Sequence, residues 1–380
     1  MSVTDWSSFW WKHMTGAQLI VTGIVDALRN GMTAVVDIPS DLPWRWTMRS
    51  EVEDSFRNSS GYDEALFEII DATDDCLAER EKEIGLFLLE KYANQEVFNG
   101  YRERSNKTIQ MYLKDNSVLK DRVIWVKGLS EKQVNGWLSF CKNYGLSCIE
   151  KGLFVIEDRC GIAKKGSRFS KCVCFSDCVS VYDVQLFASL IVESKQKMPL
   201  QWNKYLSSVA ASICDTDAEI ASFFLDNIDI QKQSPLDVIA DIASEKQYAV
   251  RGADEGSDHI LAYQRRGDLE ELKHRLWRAQ VQTLFPLIEM ERIQIVERYQ
   301  VLLTERLSRN DVEQFHVRIT SPIDLEIGTL KNQMWEAFDG VFSSDDRERI
   351  KLLHRCRNNL AHADCCDVND VVKLLENDSI

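Results

Sequence analysis

Two hydrophobic periods alternate along the first half of the chain, and the alternation predicts its architecture before any motif is sought. Leu19, Ile20, Ile24, Val25 and Leu28 recur at the spacing of one helix face, and Gly31 follows as a stop. Thr33–Ile38 is then a short β-branched run that ends in a proline-rich turn and gives way to a helix over WRWTMRSEVEDSF. Leu66–Thr73 is a second strand, followed by an amphipathic helix from about Ala78 to Tyr92. Arg122–Leu129 is a third. The helix after it carries Ser130 at its cap, Val134, Trp137, Leu138, Phe140 and Cys141 on one face, and Gly145 at its end. Leu153–Asp158 is a fourth strand, and KCVCFSDCVSVYDV supplies a fifth. Strands that alternate with helices in this way imply a mostly parallel sheet with helices on both faces.

From about Asp183 the period becomes helical throughout, with no convincing strand afterwards. VQLFASLIVES, WNKYLSSVAASIC, DAEIASFFLDN and PLDVIADIASEKQY are punctuated by Pro199, Pro235 and the loop Gly252–Asp258. The long stretch from Asp268 is one helix, or a pair broken near Pro286, and further helical segments run through RERIKLLHRCRNNLAHA to VNDVVKLLEN. The pattern therefore predicts an α/β domain over 1–198, a helical connector over 199–252 and an all-α helical bundle over 253–380.

Composition narrows the function. Lys and Arg number 46 against 60 Asp and Glu, a formal charge of −14, which excludes a protein that coats nucleic acid with its whole surface but leaves room for a small basic pocket. No apolar run approaches the ~20 residues of a membrane span. The start MSVTDWSSFWWKHMTG lacks the basic and apolar regions of a secretory signal, so a cytoplasmic protein with no membrane contact is expected. The cysteine count of 11 is odd, so free thiols are expected rather than a disulfide framework. Cys76, Cys141, Cys148 and Cys214 stand in apolar contexts suited to core packing. The cluster Cys160, Cys172, Cys174 and Cys178 lacks paired CxxC turns, and a strand throws the two thiols of CVC onto opposite faces, so no metal is expected there. The tryptophans of the amino end, Trp6, Trp10, Trp11, Trp44 and Trp46, suit packing of the first helix or the grip of a protein partner.

The strand-turn-helix at Ala34–Phe56, with later strands at Val123–Val126 and Phe154–Ile156, resembles the layout of P-loop NTPases. In that family a glycine-rich turn gathers backbone N–H groups around phosphates and a lysine meets the terminal ones. The equivalent turn here, IPSDLPWRW, has no Gly and no Lys. Two prolines remove N–H donors, and Asp41 repels phosphate. VIWVKGL also places Lys127 and Gly128 where a carboxylate is expected. The resemblance implies a degenerate nucleotide-binding fold with no hydrolysis of ATP and no bound cofactor; an α/β scaffold of separate ancestry is the alternative.

The most informative words lie near the carboxyl end, in LLHRCRNNLAHADCCDVNDVVKLL (Leu352–Leu375). Arg357 and His362, five apart, are displaced by about 140° on a helix, whereas Asn358 and His362, four apart, share a face. This string resembles the RNxxxH motif of the HEPN superfamily, helical bundles that dimerise and in many members cut RNA without metal. By position Arg357, Asn358 and His362 fill that motif. The resemblance implies His362 as general acid or base, Arg357 as a stabiliser of phosphate charge, and Asn358 as an orienting group. It further implies RNA as substrate, a homodimer through the helical domain, and a setting in bacterial toxin-antitoxin or anti-phage defence with protein partners. Asp364 and Asp367 depart from a pure anion-binding surface. The alternative is a non-catalytic scaffold or dimerisation module of a larger defence or processing complex, in which Arg357 and His362 merely tie the last two helices together.

Overall fold

The computed structural model describes residues 5–59, 61–73, 81–102, 107–163, 165–195, 198–254, 256–309, 312–314, 317–335 and 341–376. Cys76 and the expected helix start at Ala78 lie outside them. The chain divides into two compact units, Met1–Asp183 and Val184–Ile380.

The first unit is an α/β fold. In chain order it runs α1 (Trp6–His13), α2 (Thr15–Arg29), β1 (Thr33–Asp37), α3 (Arg45–Arg57), β2 (Leu66–Asp71), α4 (Glu81–Tyr92), α5 (Gln95–Gly100), α6 (Ile109–Asp115), β3 (Arg122–Lys127), α7 (Glu131–Tyr144), β4 (Leu153–Asp158), β5 (Ser170–Cys174) and α8 (Phe175–Cys178). The strands form one five-stranded sheet in the order β2-β3-β4-β1-β5, with every pairing parallel. The three inner strands are covered on both faces, which is why Val123–Val126 and Leu153–Ile156 are continuous apolar runs; β2, at an edge, leaves Leu66 and Ile69 exposed. Gly31 stops α2 as expected: its φ is +68°, and a Cβ there would stand 2.0 Å from the Ser147 carbonyl oxygen. Trp10 and Trp11 are buried where α1 packs on α2 and α3, and the Trp11 indole donates to the Pro43 carbonyl at 3.2 Å. Cys141 is buried as expected. Cys148 is exposed instead, because it lies in the loop after α7.

The carboxyl ends of β1 and β4 are the place where open α/β sheets take ligands. Here they are filled by protein. The Arg45 guanidinium donates to the Pro39 and Ser40 carbonyls, each at 3.1 Å. Arg49 of α3 reaches Glu157 of β4 through Nε at 2.9 Å and Nη2 at 2.5 Å, and the Trp125 indole adds a third bond to the same carboxylate oxygen at 2.8 Å. Asp158 accepts from the backbone N–H groups of Cys160, Ile162 and Ala163, all at 2.8 Å, and so shapes the turn after β4. Lys127 pairs with Asp71 of β2 and pulls that carboxyl down to about 2.

The second unit is helical: α9 (Val181–Lys195, which begins within the first unit), α10 (Leu200–Cys214), α11 (Ala218–Asn227), α12 (Pro235–Ser244), α13 (Ile260–Arg266), α14 (Leu269–Arg298), α15 (Gln300–Arg309), α16 (Ile327–Trp335), α17 (Ser344–Ala361) and α18 (Val368–Leu375). Between α15 and α16, two-residue strands β6 (Glu313–Gln314) and β7 (Val317–Arg318) pair antiparallel, a ladder too short to leave a hydrophobic alternation in the sequence. One expectation is corrected. The break falls at Asp183/Val184 rather than at 198/199 and 252/253, because residues 199–252 do not stand apart: α10 lies along α14, with Ser212 Oγ donating to the Arg275 carbonyl at 2.7 Å. Of the two readings of the stretch from Asp268, the single helix is the one present: α14 runs through Pro286, since its packing on α10 and α17 outweighs the one backbone bond that proline removes.

The Arg49–Glu157 pair is buried, at 6% and 0% side-chain exposure. Removing one partner strands a charge in the interior, so Arg49→Ala should lower stability by about 3–5 kcal/mol in urea unfolding; a loss below about 1 kcal/mol would show that the pair is not what holds α3 on the sheet.

Candidate functional site

Helix α17 begins with Ser343, whose hydroxyl accepts from the Asp346 N–H at 3.0 Å, and carries Asp345 and Asp346 in its first turn. Ile350, Leu352, Leu353, Cys356 and Leu360 form its buried face. At the other end the chain leaves the helix through a left-handed Ala363 with φ +61°, and the Asp364 N–H returns to the Asn359 carbonyl at 2.9 Å. His362 is the cap residue of that turn.

The turn is bolted to α14. Gln280, fully buried, accepts from the Cys366 N–H at 2.7 Å and donates to the Cys366 carbonyl at 3.2 Å, and the Trp277 indole donates to the Leu360 carbonyl at 2.8 Å. Arginines tie down α18: Arg355 bridges to Asp370 at 2.7 and 2.5 Å, while Arg349 pairs with Glu291 and donates to the Lys373 and Leu374 carbonyls. A cavity of about 500 Å³ on that side is lined by Arg349, Lys351, Arg355 and Lys373 together with Asp345, Glu348 and Glu376. Its arginines are already paired, so it offers an anion little. Arg275 and Arg292 of α14 are likewise spent within the unit, on Glu271 and Glu289 and on backbone carbonyls.

Against this frame the three motif residues separate. His362 is exposed, and its imidazole has no partner among the described residues. Arg357 is partly exposed, with Glu326 of the segment before α16 at 3.7 Å. Asn358 stays in helical register with His362, whose N–H donates to its carbonyl at 3.0 Å, but the two side chains do not bond. Its side-chain amide turns back one turn and meets Nε2 of His354 at 3.2 Å. The amide is therefore spent one turn back rather than one turn forward, and the chain departs from the helix only after His362, whose φ is −100° and ψ 17°. Asp364 and Asp367 each spend an oxygen on a backbone N–H, of Cys365 at 2.9 Å and of Asp370 at 3.0 Å.

His354 is the residue that sequence reasoning passed over. Its Nδ1 lies 3.4 Å from the Lys331 ammonium of α16, and Gly328 of α16 packs so close that a Cβ there would stand 3.3 Å from its Nε2. Burial first, then the charges of Lys331 and Arg357, push its pKa below the ordinary 6.5, so the imidazole stays neutral at neutral pH. The spacing of His354 to Arg357 and Asn358 was visible in the sequence as i+3 and i+4. Lys331 was not, since it comes from another helix.

Gln280 holds the turn that carries His362, and replacing it by an apolar side chain of similar size leaves a buried N–H and a buried C=O unpaired. Gln280→Leu should cost about 2–4 kcal/mol in urea unfolding, and a change below about 0.5 kcal/mol would show that the turn is held by other contacts.

No family model and no curated protein matches the chain. Among solved structures it is similar to the Aeropyrum pernix Orc1 protein in complex with DNA, at 11% identity over 98% of this chain and 96% of that one, with a TM-score of 0.35, which is too low to carry over fold or function.

Proposed function

We propose that the second unit is a HEPN-like domain and that the protein is a metal-independent endoribonuclease acting through Arg357, Asn358 and His362. One observation carries the reading. Arg357 and His362 do not bond to each other, and the ties among α14, α17 and α18 are made by Gln280, Trp277, Arg349 and Arg355 instead. A basic side chain and an imidazole left at the surface, with the structural work done elsewhere, are what a catalytic role requires and a tying role does not.

The chemistry follows from the groups. His362 takes the proton of a ribose 2'-hydroxyl, the alkoxide attacks the adjacent phosphorus, and the 5'-oxygen leaves with a proton, giving a 2',3'-cyclic phosphate and a 5'-hydroxyl end. Arg357 opposes the charge that builds on the phosphate oxygens, and Asn358 holds an imidazole, that of His354. A homodimer through the helical unit supplies a second His362 as proton donor to the leaving oxygen. The first unit, whose sheet and helices resemble a P-loop fold with the phosphate cradle replaced by the Arg49–Glu157 pair, serves as the sensor of a cytoplasmic bacterial toxin-antitoxin or anti-phage effector. The net charge of −14 favours a second reading, a non-catalytic scaffold.

Total RNA incubated with the full chain in EDTA separates the two. The nuclease reading predicts cleavage that leaves cyclic phosphate ends and falls by a factor on the order of 100 or more in His362→Ala. Wild-type protein that leaves RNA intact at every concentration, alone and with candidate partners, would establish the scaffold.

A further inference from the structure

The group around His354 has more donors than it can use. Lys331 brings an ammonium, Asn358 an amide NH2, Arg357 a guanidinium, and the neutral ring one N–H. Against them stand one ring nitrogen, one amide oxygen and the Glu326 carboxylate, 3.7 Å from Arg357. Turning the Asn358 amide over, or moving the ring proton between Nδ1 and Nε2, changes which contact is a hydrogen bond but leaves the surplus. Among the described residues no carboxylate lies within ion-pair distance of Lys331. The same seam between α16 and α17 continues to Trp335, 40% exposed, whose ring carries the Lys351 ammonium 3.9 Å from its centroid.

We infer that Lys331, His354 and Asn358 form a phosphate subsite on the seam of α16 and α17, beside Arg357 and with Trp335 as a neighbouring stacking surface. An oxyanion there accepts from the donors that now face one another and screens the two cations on either side of the imidazole. Its identity as a phosphodiester of single-stranded RNA rests on the ribonuclease reading; its existence does not. His354 and His362 are eight residues apart on α17, about 12 Å along the axis at ~1.5 Å per residue. That is too far to touch one phosphate, so the seam holds the strand at a phosphate away from the one cut beside His362. Cations with an interleaved aromatic suit a flexible single strand, which offers a phosphate and a base face at each step.

Two measurements on the full chain test this. In the first, the C2 proton of His354, assigned by its loss in His354→Gln, is titrated with and without inorganic phosphate. The ring nitrogens face Lys331 and Asn358, with Arg357 and Glu326 as the nearby charges, so a bound anion should raise the pKa of His354, and Lys331→Ala should abolish that phosphate-dependent rise. In the second, binding of a fluorescein-labelled single-stranded decaribonucleotide is followed by anisotropy in a His362→Ala background. Lys331→Ala should weaken it on the order of tenfold and lower the log–log salt slope by ~0.7, with Lys331→Arg restoring both. A His354 titration indifferent to phosphate overturns the subsite whether or not the protein cuts RNA. So does oligonucleotide binding that Lys331→Ala leaves unchanged. RNA left intact by the wild type while phosphate still shifts His354 upholds the subsite and removes only the ribonuclease reading.

Discussion

The second unit hangs on one amide. Gln280 meets the N–H and the carbonyl of Cys366 at once, as a neighbouring strand would, and does so in a fully buried position where an unpaired backbone group costs about 1–3 kcal/mol. That constraint fixes where the chain turns back between α17 and α18. The Trp277 bond to the Leu360 carbonyl fixes where α17 ends, and the two together place His362 on the rim of the turn rather than within it. Only with the turn held from below can a histidine at a helix end stay exposed and still keep one position relative to Arg357.

The first unit solves the opposite problem. Its all-parallel sheet leaves a crevice at the carboxyl ends of β1 and β4, where open α/β folds place a ligand. Here a buried arginine and a glutamate occupy that crevice, and the turn after β1 directs carbonyl oxygens rather than N–H groups toward the Arg45 guanidinium. A phosphate would meet acceptors and carboxylates at that edge. Burying that charged pair makes each of its halves depend on the other.

Much of this was legible in the chain. The β-branched runs at Thr33, Arg122 and Leu153 became the three inner strands because burial on both faces leaves an unbroken apolar signature, and Gly31 and Gly145 ended helices where only a glycine fits easily. The lack of a phosphate loop was legible too, from two prolines and an aspartate in one turn. Tertiary partnership was not. Residues 199–252 have the same helical period whether they bridge two bodies or belong to one, and only the packing of α10 on α14 decides. Around the site, a spacing of four residues put Asn358 and His362 in one helical register, which their backbone bond keeps, but it could not say that the Asn358 amide turns back to His354 instead. Lys331, on a different helix, left no local trace beside His354.

Arg357 and His362, at the end of α17, carry none of the bonds that hold α14, α17 and α18 together. In equilibrium urea unfolding, the double variant Arg357→Ala with His362→Ala should therefore keep a stability within about 0.5 kcal/mol of the wild type, as for surface positions outside the packed frame. A loss above about 2 kcal/mol would mean that the two residues help to hold the helices together and are not free for catalysis.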